Sequence, residues 1–250
     1  MQYRVSFLID LIATASGAGI TFLTLALILQ KFDSVGGWRL GEVAFLYGMV
    51  ETAFGCMDLF FSGFDAETFA SKVREGEFDK FLLRPIPVTL QVLGSEFVLR
   101  RIGRIVQGAL ILGIAIGLVH ANWTLFKVLY LPVVLLSLVA FFGGLFIIGA
   151  TITFFTQESI EAMNIFTYGG TEMMSYPMHI YETWMVRFFT FVVPAIFIVY
   201  YPALYFLDKP DPFGLPFFAR FLSPFAGLVL LGAALFFWRY GVQHYQSTGT

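Results

Sequence analysis

Apolar runs of about twenty residues recur along this chain, and a helix needs roughly that many to cross ~30 Å of hydrocarbon. They fall at 7–29, 43–63, 105–120, 128–155 and 221–238. Only 13% of the 250 residues are charged, whereas a soluble chain covers its surface with about a quarter. Hydrophobic residues reach 58%, and the mean hydropathy is +0.79. The expected fold class is therefore an all-α polytopic membrane protein. A net charge of −2 leaves no basic field for nucleic acid. The single cysteine, Cys56, allows neither an intrachain disulfide nor a thiolate metal cluster. Arg4, the apolar run behind it and Ala13-Thr14-Ala15 resemble a secretory signal. Asp10 interrupts that run, however, and apolarity continues to Leu29, so an uncleaved first span is expected.

Between Phe155 and Phe221 the pattern forks. The stretch 188–206 is strongly apolar but broken by Pro194 and Pro202, while 159–175 is moderately apolar and carries Glu161 and Glu172. Either the Pro-broken stretch is the fifth span, or 159–175 is the fifth span and the Pro-broken stretch dips into the outer leaflet and returns. Both give six transmembrane helices. Segment 65–104 holds Lys72, Arg74, Lys80, Arg84, Arg100, Arg101 and Arg104, against Lys31 and Arg39 after the first span and Lys127 after the third. Loops rich in Lys and Arg stay cytoplasmic, so both termini are expected inside. Trp38, Trp123, Trp184 and Trp238 all fall near expected span ends, where an indole favours the interface.

No G-x-x-x-x-G-K-[ST] phosphate loop, H-E-x-x-H, G-x-S-x-G or close Cys/His ligand set occurs. His120, His179 and His244 are scattered among loops and tail, and nothing marks the chain as an enzyme. Asp10, Glu51 and Asp58 lie in or near apolar spans, where an unpaired carboxylate costs roughly 2.5–3.5 kcal/mol. Glu51 and Asp58 are two helical turns apart and share a face. They suit packing between spans, a hydrophilic path or proton coupling, and no Lys or Arg within the spans is an evident partner. Gly113-x-x-x-Gly117 permits close helix approach, within one subunit or between two. Met173, Met174 and Met178 read as apolar filler or an adaptable patch.

The stretch 69–93 interleaves Lys72, Arg74, Glu75, Glu77, Asp79 and Lys80 with Phe69, Val73, Phe78, Phe81 and Leu82. That pattern suits a short amphipathic helix along the membrane surface, ended by Arg84-Pro85-Ile86-Pro87. Such a helix, held between two spans, is a handle for a soluble partner; an ordinary solvated loop is the plainer alternative.

Residues 74–85 (REGEFDKFLLRP) resemble the R-x-G-x-(L/F)-D-x-x-L-x-R-P cytoplasmic segment of bacterial ABC transporter permeases of the type-2 (exporter) superfamily. Tyr176-Pro177, Trp184, Pro194 and Tyr200-Tyr201-Pro202-Ala203 are similar to that family's Y-P…W…P…Y-x-P-A stretch, and the tail from Trp238 to Gly249 to its closing W-x-x-G-x-x-x-Y-x-S-x-G. The resemblance implies one membrane half of an ABC exporter in the bacterial inner membrane, in contact with membrane lipid. It would pair with a second permease subunit, identical or not, and with a separate ABC ATPase subunit that holds the ATP and Mg. Lys72, Arg74, Glu75, Glu77, Phe78, Asp79, Lys80, Arg84 and Pro85 would form the coupling helix that meets the ATPase. The resemblance also favours the forked reading in which 180–207 is a re-entrant hairpin on the outer side. Family members carry a basic amphipathic helix before the first span; here Met1-Gln2-Tyr3-Arg4 leads almost directly into the membrane, so that element is expected to be missing or upstream of this start. Two rival functions remain: a proton-coupled secondary transporter using Glu51, Asp58 or Asp10, and a membrane scaffold that moves nothing.

Overall fold

The computed structural model describes residue 20 and residues 34–97, 101–156 and 161–246. Apart from Ile20, the expected first span with Asp10 lies outside these residues, as do the last four residues. Helices are numbered here from Leu40 onwards. Among the described residues regular structure is helical, with one isolated bridge between Val35 and Trp38.

Helix α1 (Leu40–Phe61) is followed by a 3₁₀ turn and by α2 (Ala66–Arg74), the whole forming one helical stretch, Leu40–Arg74. Its 35 residues cover about 50 Å at 1.5 Å per residue, well beyond the hydrocarbon thickness. Two short helices follow, α3 (Phe78–Leu82) and α4 (Val88–Leu93), and then α5 (Ile102–Leu118) and α6 (Leu125–Thr156). Pro132 sits in the early turns of α6. Next come α7 (Glu161–Asn164), a π-helical turn (Ile165–Gly169) and α8 (Gly170–Met174). Leu40–Arg74, α6 and the last helix, α11 (Ser223–His244), are long and apolar enough to cross a membrane, whereas α5 is a shorter apolar helix.

The Pro-rich stretch is two helices, α9 (Thr183–Phe191) and α10 (Ile196–Phe206, opening with a π turn), bent by 84°. The break falls at Pro194, which has no N–H to continue the helix. Hydroxyls in the apolar helices are satisfied internally: Thr167, Thr171 and Ser175 each bond the carbonyl four residues back, as does Thr151.

Two helix pairs make the bundle: α1 packs against α5, and α6 against α11. A Cβ on Gly108 of α5 would lie 2.4 Å from the Thr52 nitrogen, and one on Gly48 of α1 would lie 2.7 Å from Leu112 Cα. The backbones therefore touch, in antiparallel register, at 48 with 112 and 52 with 108. The sequence offered Gly113 and Gly117 for close approach within one subunit or between two; among the described residues a Cβ added at either would meet no other element within 4 Å, so neither makes that approach within this subunit. Two of the expected interfacial tryptophans are also core residues, Trp38 at 3% exposure and Trp238 at 1%, because each stacks among other rings. Trp184, at 66%, is exposed.

Gly108→Ala should therefore lower stability by about 1–3 kcal/mol through overpacking, read as a reduced Tm in detergent. Gly94→Ala, whose new Cβ meets only ordinary contacts, should shift stability by less than about 0.5 kcal/mol.

Candidate functional site

The segment between α1 and α5 is built from local rules. Asp65 caps α2 by accepting the Thr68 N–H at 3.1 Å. The helix ends in a Schellman turn, with Glu77 N–H donating to the Lys72 carbonyl and Gly76 at φ +68°. The single amphipathic helix expected before Arg84-Pro85-Ile86-Pro87 is thus corrected to two short ones, α2 and α3, because Gly76 turns the chain within the charged run, and α4 follows the two prolines. Gln91 of α4 then donates its amide to the carbonyls of Phe81 and Ile86, at 2.8 and 2.7 Å, closing the loop between α3 and α4.

Phe78 is fully buried and roots this segment in the bundle. Its ring lies 5.6 Å from Phe69, 4.9 Å from Phe154 of α6 and 4.8 Å from Tyr245, with Trp238 of α11 beside them. Edge-to-face pairs of this kind contribute about 0.5–1.5 kcal/mol each beyond area burial. The tip points the other way. Leu83 is 85% exposed, the highest value of any large apolar side chain among the described residues, and Leu82, Ile86 and Leu90 are exposed with it. Arg84 and Pro85 share this exposed tip, and Arg74 is exposed at the end of α2.

The remaining charges of the segment hold it together. Lys72 pairs with Glu96 at 2.8 Å and donates to Ser95; Glu75 accepts from Ser71; Glu77 pairs with Lys80 at 3.2 Å. Asp79 is half-buried. The predicted coupling residues therefore split, with Phe78 as root, Arg84 and Pro85 at the tip, and Lys72, Glu75 and Glu77 as internal ties.

Glu51 and Asp58 are not unpartnered. Arg104 grips Glu51 through two bonds, Nε to Oε2 at 2.8 Å and Nη2 to Oε1 at 3.0 Å, and its guanidinium lies 4.3 Å from the centre of the Phe54 ring. Arg101 donates to the Asp58 carboxylate at 2.9 Å and to its carbonyl at 2.7 Å. The expectation of no basic partner is corrected, because α5 begins at Ile102, three residues before the expected span, and so carries Arg104 in its first turn. Arginines spaced three apart at the start of one apolar helix, facing carboxylates seven apart near the end of its antiparallel neighbour, were the available signal.

At the opposite end of the bundle the residues picked out around the Pro-broken stretch divide in the same way. Pro194 is the break, Pro202 is buried at the start of α10's last turns, and Tyr201 is buried with its hydroxyl donating to Asp211. Pro177 is buried and Tyr176 half-buried, with Met173, Met174 and Met178 in the core around them. Sequence pattern missed three polar ties here. Buried Lys127 reaches Asp208 at 2.6 Å and the Phe206 carbonyl at 3.1 Å, covering the C-terminal end of α10. Lys209 pairs with Glu42 at 2.9 Å. His179 bonds the Tyr200 hydroxyl at 2.7 Å and the Gly36 carbonyl at 2.6 Å. Among the described residues no cluster of His, Cys, Asp and Glu could hold a metal ion.

The chain belongs to the ABC-2 transporter family: the model described as "ABC-2 family transporter protein" matches residues 16–249. No curated protein and no solved structure matches the chain. It is a membrane component of an ABC transporter, in a family that works with an ATPase subunit.

Phe78→Ala should cost about 3–5 kcal/mol, the usual loss for a buried Phe. It should also release segment 65–97 from the bundle, seen as a lower Tm together with faster proteolysis within that segment.

Proposed function

We propose that this chain is the permease subunit of an ATP-driven exporter. It forms the translocation pathway as a dimer, homo- or heteromeric, in the bacterial inner membrane. Six spans put both termini in the cytoplasm, with 180–207 re-entering from the outer side. ATP and Mg are bound by a separate ATPase, and segment 65–104 is where that ATPase docks.

One observation carries this reading: an exposed apolar tip mounted on a fully buried aromatic root. Exposed apolar side chains edged by charge mark a protein contact, and here Leu82, Leu83, Ile86 and Leu90 are edged by Lys80 and Arg84. A tip alone would be a sticky loop. Because Phe78 ties it to α6 and α11, a load on the tip reaches the membrane helices. The proton-carrier alternative is less well supported, since Glu51 and Asp58 each face a guanidinium.

The test is co-purification of a candidate ABC ATPase with this chain. Leu83→Asp should weaken that association at least about tenfold, as loss of a central apolar contact does, while leaving the Tm of the isolated chain unchanged. Undiminished association in Leu83→Asp and in a Glu77, Asp79 and Arg84 alanine variant would remove the docking role from this segment.

A further inference from the structure

Helix α1 connects the two ends of the bundle. At its C-terminal end the chain passes directly into the docking segment, which returns through α5. At its N-terminal end Trp38 stacks on Tyr200 at 5.8 Å, and Glu42 pairs with Lys209. Lys209 also donates to the Gly37 carbonyl at 3.2 Å and lies 5.1 Å from the Trp38 ring, while His179 holds the Gly36 carbonyl. Gly36 and Gly37 take positive φ, +55° and +77°, to present those carbonyls. Together these contacts form a latch between the start of α1 and the residues flanking α10, around a recess of about 270 Å³.

The glycine contacts between α1 and α5 bring the backbones together, but smooth glycine surfaces do not by themselves fix sliding or rotation. The two arginines do. A bidentate guanidinium–carboxylate pair has one good geometry, so Arg104 on Glu51 sets both the register and the rotation of α5 on α1. Arg101 on Asp58 repeats the tie two turns closer to the docking segment, where the chain enters α5. Only 5% of the Glu51 side chain is exposed, so the inner tie is shielded from water and salt. A buried ionic pair adds little net stability, and setting register is its best-attested use.

We propose that these two ion pairs make α1 and α5 a rigid lever, which carries displacement of the docking segment to the latch of Glu42, Lys209, His179 and Gly36. Glu51, Asp58, Arg101 and Arg104 are positioning residues for transport. This rests on the reading of 65–104 as the ATPase-docking segment. Without the pairs, a push on the tip is absorbed as slippage between α1 and α5, and the far end stays closed.

The experiment uses the assembled complex with its ATPase, in a Cys56→Ser background with spin labels at Ser34→Cys and Phe218→Cys. Distances are measured with and without a non-hydrolysable ATP analogue. In the parent complex the analogue should shift the distance distribution. In the Glu51→Met/Arg104→Met variant, an apolar replacement that keeps the helices packed, the ATPase should still bind and hydrolyse ATP while the shift is lost. The swap Glu51→Arg/Arg104→Glu should restore it. If the methionine pair does not fold, Asp58→Asn/Arg101→Gln on the more exposed tie reads the same quantity. An undiminished shift in a folded variant lacking a pair overturns the lever and leaves the docking reading intact. A parent complex that binds its ATPase but shows no shift likewise overturns the lever alone, whereas one that assembles no ATPase overturns both.

Discussion

Carboxylates inside a membrane helix must find partners within the protein, since hydrocarbon offers none. Helix α1 carries Glu42, Glu51 and Asp58, and each is met by a cation from another element: Lys209, Arg104 and Arg101. These pairs decide more than local neutrality. The inner two place α5 on α1, and thereby fix where the chain leaves and re-enters the bundle around the protruding segment. The outermost fixes the start of α1 to the residues after α10. Lys127, buried against Asp208 and the Phe206 carbonyl, secures the same region from α6. The bent helices are thus held at one end by charge and at the other by apolar packing.

The protruding segment has the opposite chemistry. Its attachment is aromatic, through Phe69, Phe78, Phe154, Trp238 and Tyr245, and its charged residues mostly bond one another. That division suits a docking element. The root must resist load, which ring packing does without a desolvation cost, while the tip must remain free for a partner. Membership of the ABC-2 transporter family fits such an element in a chain that carries no phosphate loop of its own.

Much of this was legible in the sequence, and what was not follows a physical pattern. The apolar runs at 43–63 and 128–155 read as helices because lipid exposure demands nearly continuous apolarity, and the structure has Leu40–Phe61 and Leu125–Thr156 there. The motif around Arg74 to Pro85 pointed to the family. Helix ends were less legible: hydropathy cut the third run at Ile105, since arginines score as loop. That cut hid Arg101 and Arg104 from the carboxylates they serve. Gly48 and Gly108, which make the helix contact, belong to no short motif, because each meets a residue about sixty positions away in the chain, Leu112 and Thr52 respectively. The Gly76 turn inside the charged run was read as helix because charged and apolar residues interleave on both sides of it.

In the proposed arrangement the exposed tip around Leu83 faces an ATPase, and the aromatic-rich turn at Phe217–Phe221 lies on the far side of the membrane. A photo-crosslinking residue placed at 83, and separately at 218, in cells co-expressing a candidate ABC ATPase partner tests it most directly. The account requires an adduct with the ATPase from position 83 and none from position 218. An ATPase adduct from 218, or none from 83 in a folded chain that co-purifies with the ATPase, would contradict it.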